Sequence, residues 1–282
     1  LKNKANQVYI TTKDFLVTGE SFNLIHHPKK EMLVTTPQPK IDELYKYYES
    51  EDYISHTDEK KGFVATLYQI VKKYSLTSKV NLIQSLNKGT GTILDIGAGT
   101  GEFLKLAKDK NWNVHGVEPN LKARLFSEKK EVLLKERIED FSNQKFDVVT
   151  LWHVLEHLPD LEKVTTQLES FLNPRGILII AVPNYKSYDA TYYKNYWAAY
   201  DTPRHLWHFS RKSMNSLFST KMKLINTKPM WFDSFYVCLL SEKYKTKNAF
   251  SIKALLIGLW SNILALKTKE HSSVIYCYKK QP

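Results

Sequence analysis

Ile93-Leu94-Asp95-Ile96-Gly97-Ala98-Gly99-Thr100-Gly101-Glu102-Phe103-Leu104 decides the fold. The apolar run around Asp95 reads as a short buried strand. The alternating glycines read as a tight turn, and Glu102-Phe103-Leu104 as the first turn of an amphipathic helix. Strand, glycine turn and helix together set backbone N–H groups and a helix N-terminus against a ligand that lies close to the main chain.

Two kinds of ligand use such a loop. A dinucleotide calls for G-x-G-x-x-G, whose third glycine lets helix and strand pack closely. Here that position is Glu102, and the glycines stand at 97, 99 and 101. Asp95, two residues before the first glycine, would repel a pyrophosphate and suits a cationic amino-acid head group. The loop therefore reads as one for S-adenosylmethionine.

Outward from the loop, strand and helix alternate. Strands are predicted at 92–96, 113–117, 131–135, 146–152, 176–182, 223–231 and 273–279, with helices at 101–110, 120–129, 160–171 and 211–219. This is an α/β chain with a doubly wound, mostly parallel seven-stranded sheet. The runs 146–151 and 177–182 are nearly continuous apolar stretches, as strands covered on both faces require.

Residues 1–40 read as a small β-rich appendage, with short runs at Val8–Ile10, Phe15–Val17, Phe22–Ile25 and Met32–Val34, closing on the linker Thr36-Pro37-Gln38-Pro39. Residues 41–90 read as a helical cap in which Tyr45, Tyr48, Tyr53 and His56 would form a lid. Residues 91–282 then form the ligand-binding domain, interrupted by a helical insertion near 234–268. Within it, Ile252, Leu255, Leu256, Leu259, Trp260, Ile263 and Leu264 recur at helical spacing, and this stripe is expected to pack inward or serve as a lid. The stretch is too short and polar to read as a membrane span, although peripheral contact with a membrane fits its amphipathic pattern.

The net charge of +12 raises the question of nucleic acid, but the lysines are scattered in pairs and no arginine-rich block appears. A small anionic acceptor or nearby anionic lipid accounts for the charge as well, and the aromatic segment 183–209 suits a ring-bearing or anionic acceptor. Cys238 and Cys277 lie in apolar contexts without metal spacing and read as buried thiols of a reducing compartment. Residues 1–20 lack the apolar stretch of a secretory leader, so the expected location is the cytoplasm.

Ligands of open α/β sheets sit at the carboxyl ends of strands. The second strand ends in Glu118-Pro119-Asn120, about twenty residues past the loop, where a carboxylate accepts from ribose hydroxyls. After the third, Ile138 and Glu139 are candidates for the adenine. The fourth ends in Trp152-His153-Val154-Leu155-Glu156-His157. His153 and His157 stand four apart, but no third ligand is evident in the sequence, so no metal is expected. His153 is placed at the boundary of cofactor and substrate, where it is a second candidate for the general base beside His205. The aromatic segment 183–209 follows the fifth strand and supplies a substrate pocket: Trp197, Tyr200, Arg204 and His157 as lining, His205 as general base.

The set ILDIGAGTG, VHGVEPN, FDVVTLWHVLEHLPD and LNPRGILIIAVPN resembles class I S-adenosylmethionine-dependent methyltransferases, in the branch of ubiquinone-biosynthesis O-methyltransferases and sugar methyltransferases. The resemblance covers about 90–282. It implies a Rossmann-like methyltransferase fold, with Asp95, Gly97, Ala98, Gly99 and Gly101 at the methionine end, Glu118 at the ribose and S-adenosylhomocysteine as product. The resemblance says less about the acceptor; the leading expectation is a small molecule methylated on a hydroxyl oxygen. RNA or protein as acceptor, or a non-catalytic cofactor-binding relative, are the other readings. Some relatives carry a cysteine-rich zinc ribbon before a similar linker; residues 1–40 hold no cysteine, so the appendage is expected to be metal-free.

Overall fold

The structure is a computed structural model that describes residues 6–40, 43–48, 63–248 and 251–282. In chain order its strands and helices are β1 (Val8–Lys13), β2 (Ser21–His26), β3 (Leu33–Thr36), α1 (Phe63–Asn87), β4 (Thr92–Ile96), α2 (Glu102–Lys108), β5 (Asn113–Val117), α3 (Leu121–Glu128), β6 (Phe146–Trp152), α4 (Leu161–Ser170), β7 (Leu172–Pro183), α5 (Tyr188–Tyr193), β8 (Trp207–His208), α6 (Arg211–Asn215), β9 (Met222–Pro229), α7 (Asp233–Thr246), α8 (Ile252–Thr268) and β10 (Ser273–Lys280).

The central sheet runs β5-β4-β6-β7-β10-β9. The first four strands are parallel, and β10 is antiparallel to both its neighbours. Alternation along β7 fills both faces. Leu178, Ile180 and Val182 enter one buried cluster with Phe146 and Met214, while Ile177, Ile179 and Ala181 enter the other with Ile83, Ile93 and Phe103. Helix α1 supplies Val80, Leu82 and Ile83 to the second cluster, which fixes it beside the glycine loop's helix.

Six strands form among the described residues, where the sequence suggested seven. The stretch 131–135 makes only an isolated parallel bridge, Lys135 to Val117. It lies beyond the edge strand β5, leaves Leu133 exposed and runs straight into Lys135-Glu136-Arg137, so there is little apolar surface to hold it.

The N-terminal strands make a second, antiparallel sheet of order β1-β2-β3-β8. Its fourth strand is Trp207–His208, from within the aromatic segment, so the appendage is stitched into the site region. The predicted strand at Phe15–Val17 is a turn instead. Asp14 accepts from the backbone N–H groups of Leu16, Val17 and Thr18, which holds the chain in a bend.

Helix α8 is turned the other way from the apolar stripe. Ala254, Gly258, Ser261, Asn262 and Ala265 are buried, while Ile252, Leu256, Leu259, Trp260 and Ile263 are exposed. Small residues permit close approach to α7: a side chain at Gly258 would press on the Phe235 backbone at 3.1 Å. Ser261 donates to Asp189 and Asn262 to Ser234 and the Trp231 carbonyl, so these polar groups are satisfied inside. Among the described residues no helix is long and apolar enough to cross a membrane.

Candidate active site

The glycine loop leaves the end of β4 and is pinned from below. Gly97 and Ala98 both donate to the Val117 carbonyl, at 2.8 and 2.9 Å. Gly97 (φ 71°), Gly99 (φ 54°) and Gly101 (φ 75°) all take the left-handed conformation. Two of them differ in what lies above. A side chain at Gly97 would collide with Val154, whereas above Gly99 nothing lies within 4 Å. That open space, framed by loop N–H groups and the start of α2, is where a ligand can reach the main chain.

Two carboxylates stand at the ends of β4 and β5 beside the loop. Glu118 accepts from Gly99 N at 2.8 Å and from Asn120 N at 2.9 Å, with its side chain still partly exposed. Asp95 is buried at 2% exposure and accepts a 2.6 Å bond from the Thr150 hydroxyl. Burial pushes its carboxyl up to about 7, against the opposing pull of Thr150 and the Lys79 ammonium. Lys79, from α1, lies with its Nζ 4.4 Å from the centroid of the Trp152 ring. Trp152 also meets Phe103 edge-on at 5.5 Å, and its Nε1 has no hydrogen-bond partner among the described residues. Pro119 and Glu139 are exposed and Ile138 is half-buried along the same edge.

The end of β6 carries a second group. His153 Nε2 meets Asp233 at 3.0 Å and its Nδ1 lies 3.4 Å from Glu156. Burial alone would lower the His153 pKa; the two carboxylates outweigh it and push it up to about 10, so this imidazole is charged at neutral pH. Glu156 sits in the one-turn helix Leu155–His157 at 1% exposure, and neither carboxylate oxygen has a hydrogen-bond partner among the described residues. The backbone joins this turn to the aromatic segment through Leu206 N, which donates to the Glu156 carbonyl at 2.8 Å. His205 is thereby brought against His157, with ring centroids 4.5 Å apart. Glu156, His157 and His205 each bring one donor atom within 4.8 Å of the others. Burial and the neighbouring His205 drive the His157 pKa down to about 4. His157 Nδ1 lies 3.1 Å from both the Tyr48 hydroxyl and the Arg204 carbonyl. Of the expected lid, Tyr48 therefore reaches the site, whereas Tyr53, His56 and the Tyr45 side chain lie outside what is described.

The remaining substrate candidates take other tasks. Arg204 is 1% exposed and fully engaged: Nε and Nη2 hold Asp201, Nη2 reaches Asp14 at 2.9 Å and Nη1 the Tyr47 carbonyl at 2.9 Å. Trp197 and Tyr200 are buried in the cluster that joins β2, β3 and α7, and Trp197 Nε1 donates to Asp189. The cavity beside Arg204 measures about 10 Å³, room for no more than a water. These three residues thus build the wall behind His205 and are not free to meet an acceptor. Lys79 and Asp233 are parts of the site that no local motif marks; each arrives on a helix distant in sequence.

Residues 68–220 match the family model described as "Methyltransferase domain". An uncharacterized protein of Methanocaldococcus jannaschii is 28% identical over 145 residues, which are 51% of this chain and 61% of that protein. A ubiquinone biosynthesis O-methyltransferase of Actinobacillus pleuropneumoniae is 33% identical over 106 residues, 33% of this chain and 45% of that enzyme. The chain thus spans about half of the length of the curated relatives it matches. A putative sarcosine dimethylglycine methyltransferase from Galdieria sulphuraria superposes with a TM-score of 0.52 at 13% identity, over 77% of this chain and 88% of that one, a likeness of fold. With the glycine loop, its flanking carboxylates and the parallel sheet in place, the chain belongs to the methyltransferase-domain family and has the class I S-adenosylmethionine-dependent methyltransferase fold.

Proposed function

We propose that the protein transfers a methyl group from S-adenosylmethionine to a hydroxyl oxygen of a small molecule. The observation that carries this reading is the open space above Gly99, with Glu118 bonded to that glycine's N–H and Asp95 buried in the strand that leads into the loop. In it Asp95 takes the ammonium of the methionine end and Gly97, Ala98, Gly99 and Gly101 line that end. Glu118 and Pro119 hold the ribose, Ile138 and Glu139 the adenine, and Trp152 closes the cofactor side. Bound there, S-adenosylmethionine supplies an activated methyl on a sulfonium that departs as a neutral thioether.

What the chain must add is alignment, exclusion of water and a destination for a proton. A hydroxyl has to shed its proton as its oxygen attacks, and the group at Glu156, His157 and His205 supplies acceptors for it. His205 Nδ1 faces the Ala199 carbonyl at 2.9 Å, so in the tautomer that satisfies that contact Nε2 carries the lone pair and serves as base. His153, charged between Asp233 and Glu156, orients the carboxylate and does not take the proton. His157 borders the acceptor, while Trp197, Tyr200 and Arg204 position His205 from behind. The likeness to an O-methyltransferase over 106 residues supports oxygen as the acceptor atom. The described parts of the segment 41–90, residues 43–48 and α1, act as the cap on the cofactor side, with the described residues of the N-terminal sheet and α7 and α8 as flanking additions. The two free, buried thiols fit a reducing cytoplasm.

Calorimetry with S-adenosylhomocysteine tests the cofactor half: binding that Asp95→Ala or Glu118→Ala weakens at least about tenfold is the expected result, and binding of a nicotinamide dinucleotide instead would overturn it. Mass spectrometry of a hydroxyl-bearing acceptor panel incubated with S-adenosylmethionine tests the other half. Methylation confined to amines or carbon would overturn the choice of oxygen.

A further inference from the structure

We propose that Glu156, His157 and His205 bind one divalent transition-metal ion of the zinc, iron or nickel class. One donor atom from each residue lies within 4.8 Å of the others, so side-chain rotations that draw them in by about an ångström reach metal bonds of roughly 2.0–2.2 Å. The sequence hides this set, because His205 stands 48 positions beyond His157. The fold closes that gap with the Leu206 N to Glu156 carbonyl bond and with the edge-on contact of the two rings.

Both imidazoles are prepared as ligands. His157 Nδ1 faces the Arg204 carbonyl at 3.1 Å and His205 Nδ1 the Ala199 carbonyl at 2.9 Å. A carbonyl can only accept, so in the tautomer that satisfies both contacts Nε2 of each ring keeps its lone pair, as metal-bound histidines are commonly held; the Tyr48 hydroxyl at 3.1 Å is then a second acceptor for His157 Nδ1. The carboxylate gives an independent indication. Glu156 is 1% exposed, yet neither oxygen has a hydrogen-bond partner among the described residues. Its neighbour His153 stands 3.4 Å from Oε1 and is itself held by Asp233 at 3.0 Å. A buried anion with unused lone pairs, facing two prepared imidazoles, is a cation site in its chemistry. Nearby Asp201 shows the contrast: its carboxylate is taken up by Arg204, and its Oδ2 lies a further 3.9 Å from His205 Nε2.

Two imidazoles and one carboxylate favour zinc, iron or nickel over magnesium or calcium, which prefer all-oxygen shells. Three protein ligands leave positions open. Resting on the proposed methyl transfer, the acceptor's hydroxyl oxygen takes one of them. The ion then lowers the hydroxyl pKa, the proton passes to water, the new O–CH₃ bond forms, and the S–CH₃ bonding pair returns to sulfur. In that arrangement the Nε2 of His205 holds the ion, and the ion replaces it as the activating group.

The full chain, stripped with EDTA and dialysed, is titrated with Zn²⁺ by calorimetry and with Co²⁺ by visible absorption. The proposal expects one equivalent of Zn²⁺ per chain and Co²⁺ d–d bands. It expects Glu156→Gln and His205→Ala each to weaken binding at least about tenfold, and His27→Ala, at a surface histidine away from the site, to leave it unchanged. If His205→Ala fails to fold by thermal melting, His157→Gln takes its place. Zn²⁺ binding that is not stoichiometric, or that both site variants leave intact, overturns the proposal. Equal methyl-transfer rates for stripped and Zn²⁺-loaded protein overturn the ion's part in the reaction and leave the base reading standing. Loss of S-adenosylhomocysteine binding with Zn²⁺ binding retained would sink the methyltransferase reading alone.

Discussion

Glu118 and Gly99 are joined through a 2.8 Å bond from the glycine's backbone N–H to the glutamate's carboxylate. The same carboxylate takes Asn120 N, so one side chain ties the loop after β4 to the start of α3. Charge-assisted bonds of this kind contribute about 1.5–3 kcal/mol each. Glu118→Ala is therefore expected to weaken S-adenosylhomocysteine binding by about ten- to a hundredfold, read by calorimetry. Glu118→Gln, which retains one oxygen acceptor, should fall between it and the parent.

Asp95 predicts a pH dependence whose sign is fixed by its environment. Burial holds its carboxyl at about 7, well above the usual 3.8. A raised acid pKa gives the unliganded fold stability that is complete below the ordinary value and is lost as pH rises toward 7. The ammonium group of the ligand acts in the opposite sense, because it binds the ionised form. Affinity for S-adenosylhomocysteine should climb by up to about tenfold per pH unit between pH 5 and 7 and level off above. Calorimetry at half-unit steps checks this, and Asp95→Asn should show a flat profile. A flat profile in the parent protein would remove Asp95 from the ammonium site.

The two glycines at 97 and 99 separate folding from ligand approach. Both are left-handed, so an alanine at either costs about 1–2 kcal/mol of backbone strain. Gly97→Ala additionally drives its methyl into Val154, while Gly99→Ala meets open space. The first is expected to lower the melting temperature clearly more than the second, with partial recovery in Gly97→Ala/Val154→Ala. The second should melt only the few degrees below the parent that the backbone strain costs, yet lose cofactor affinity, since its methyl would occupy the space where the ligand meets the loop.

The parts of the site that were legible in the sequence are local ones. Asp95, the glycines and Glu118 lie within twenty-four residues and follow from strand, turn and helix rules alone. What the sequence could not show depends on pairing across the fold. Helix α8 presents a regular apolar stripe, yet its burial was decided by Gly258 and Ser261, which let it approach α7 and reach Asp189. The predicted strand at 131–135 leaves Leu133 exposed and, beyond the edge strand, pairs only through the Lys135 to Val117 bridge. Arg204 looks like an anion receptor in a list of residues; only the fold reveals that Asp14 and Asp201 already fill its donors.

That last contact yields the strongest stability prediction. Asp14 comes from the end of β1 and Arg204 from the segment before β8, 190 residues apart, and both are 1% exposed. Removing one member of such a pair leaves the other charge buried without compensation, which costs about 3–5 kcal/mol. Arg204→Ala should therefore lower the melting temperature by on the order of 10 °C. Arg204→Lys should recover little of it, because an ammonium cannot span Asp201, Asp14 and the Tyr47 carbonyl as the guanidinium fork does. Although burial opposes ionisation, Arg204 and backbone hydrogen bonds hold Asp14 below the usual carboxylate range, and Arg204 does the same for Asp201. Depressed acid pKa values give stability that is present above the ordinary 3.8 and is lost as pH falls through the lowered values. The Arg204→Ala deficit should thus be constant from pH 5 to 8 and shrink below about pH 4, as the parent loses the same interaction. Melting curves across that range decide the matter. A deficit that stays constant down to pH 3 would mean that the arginine stabilises by packing its stem rather than by its charge.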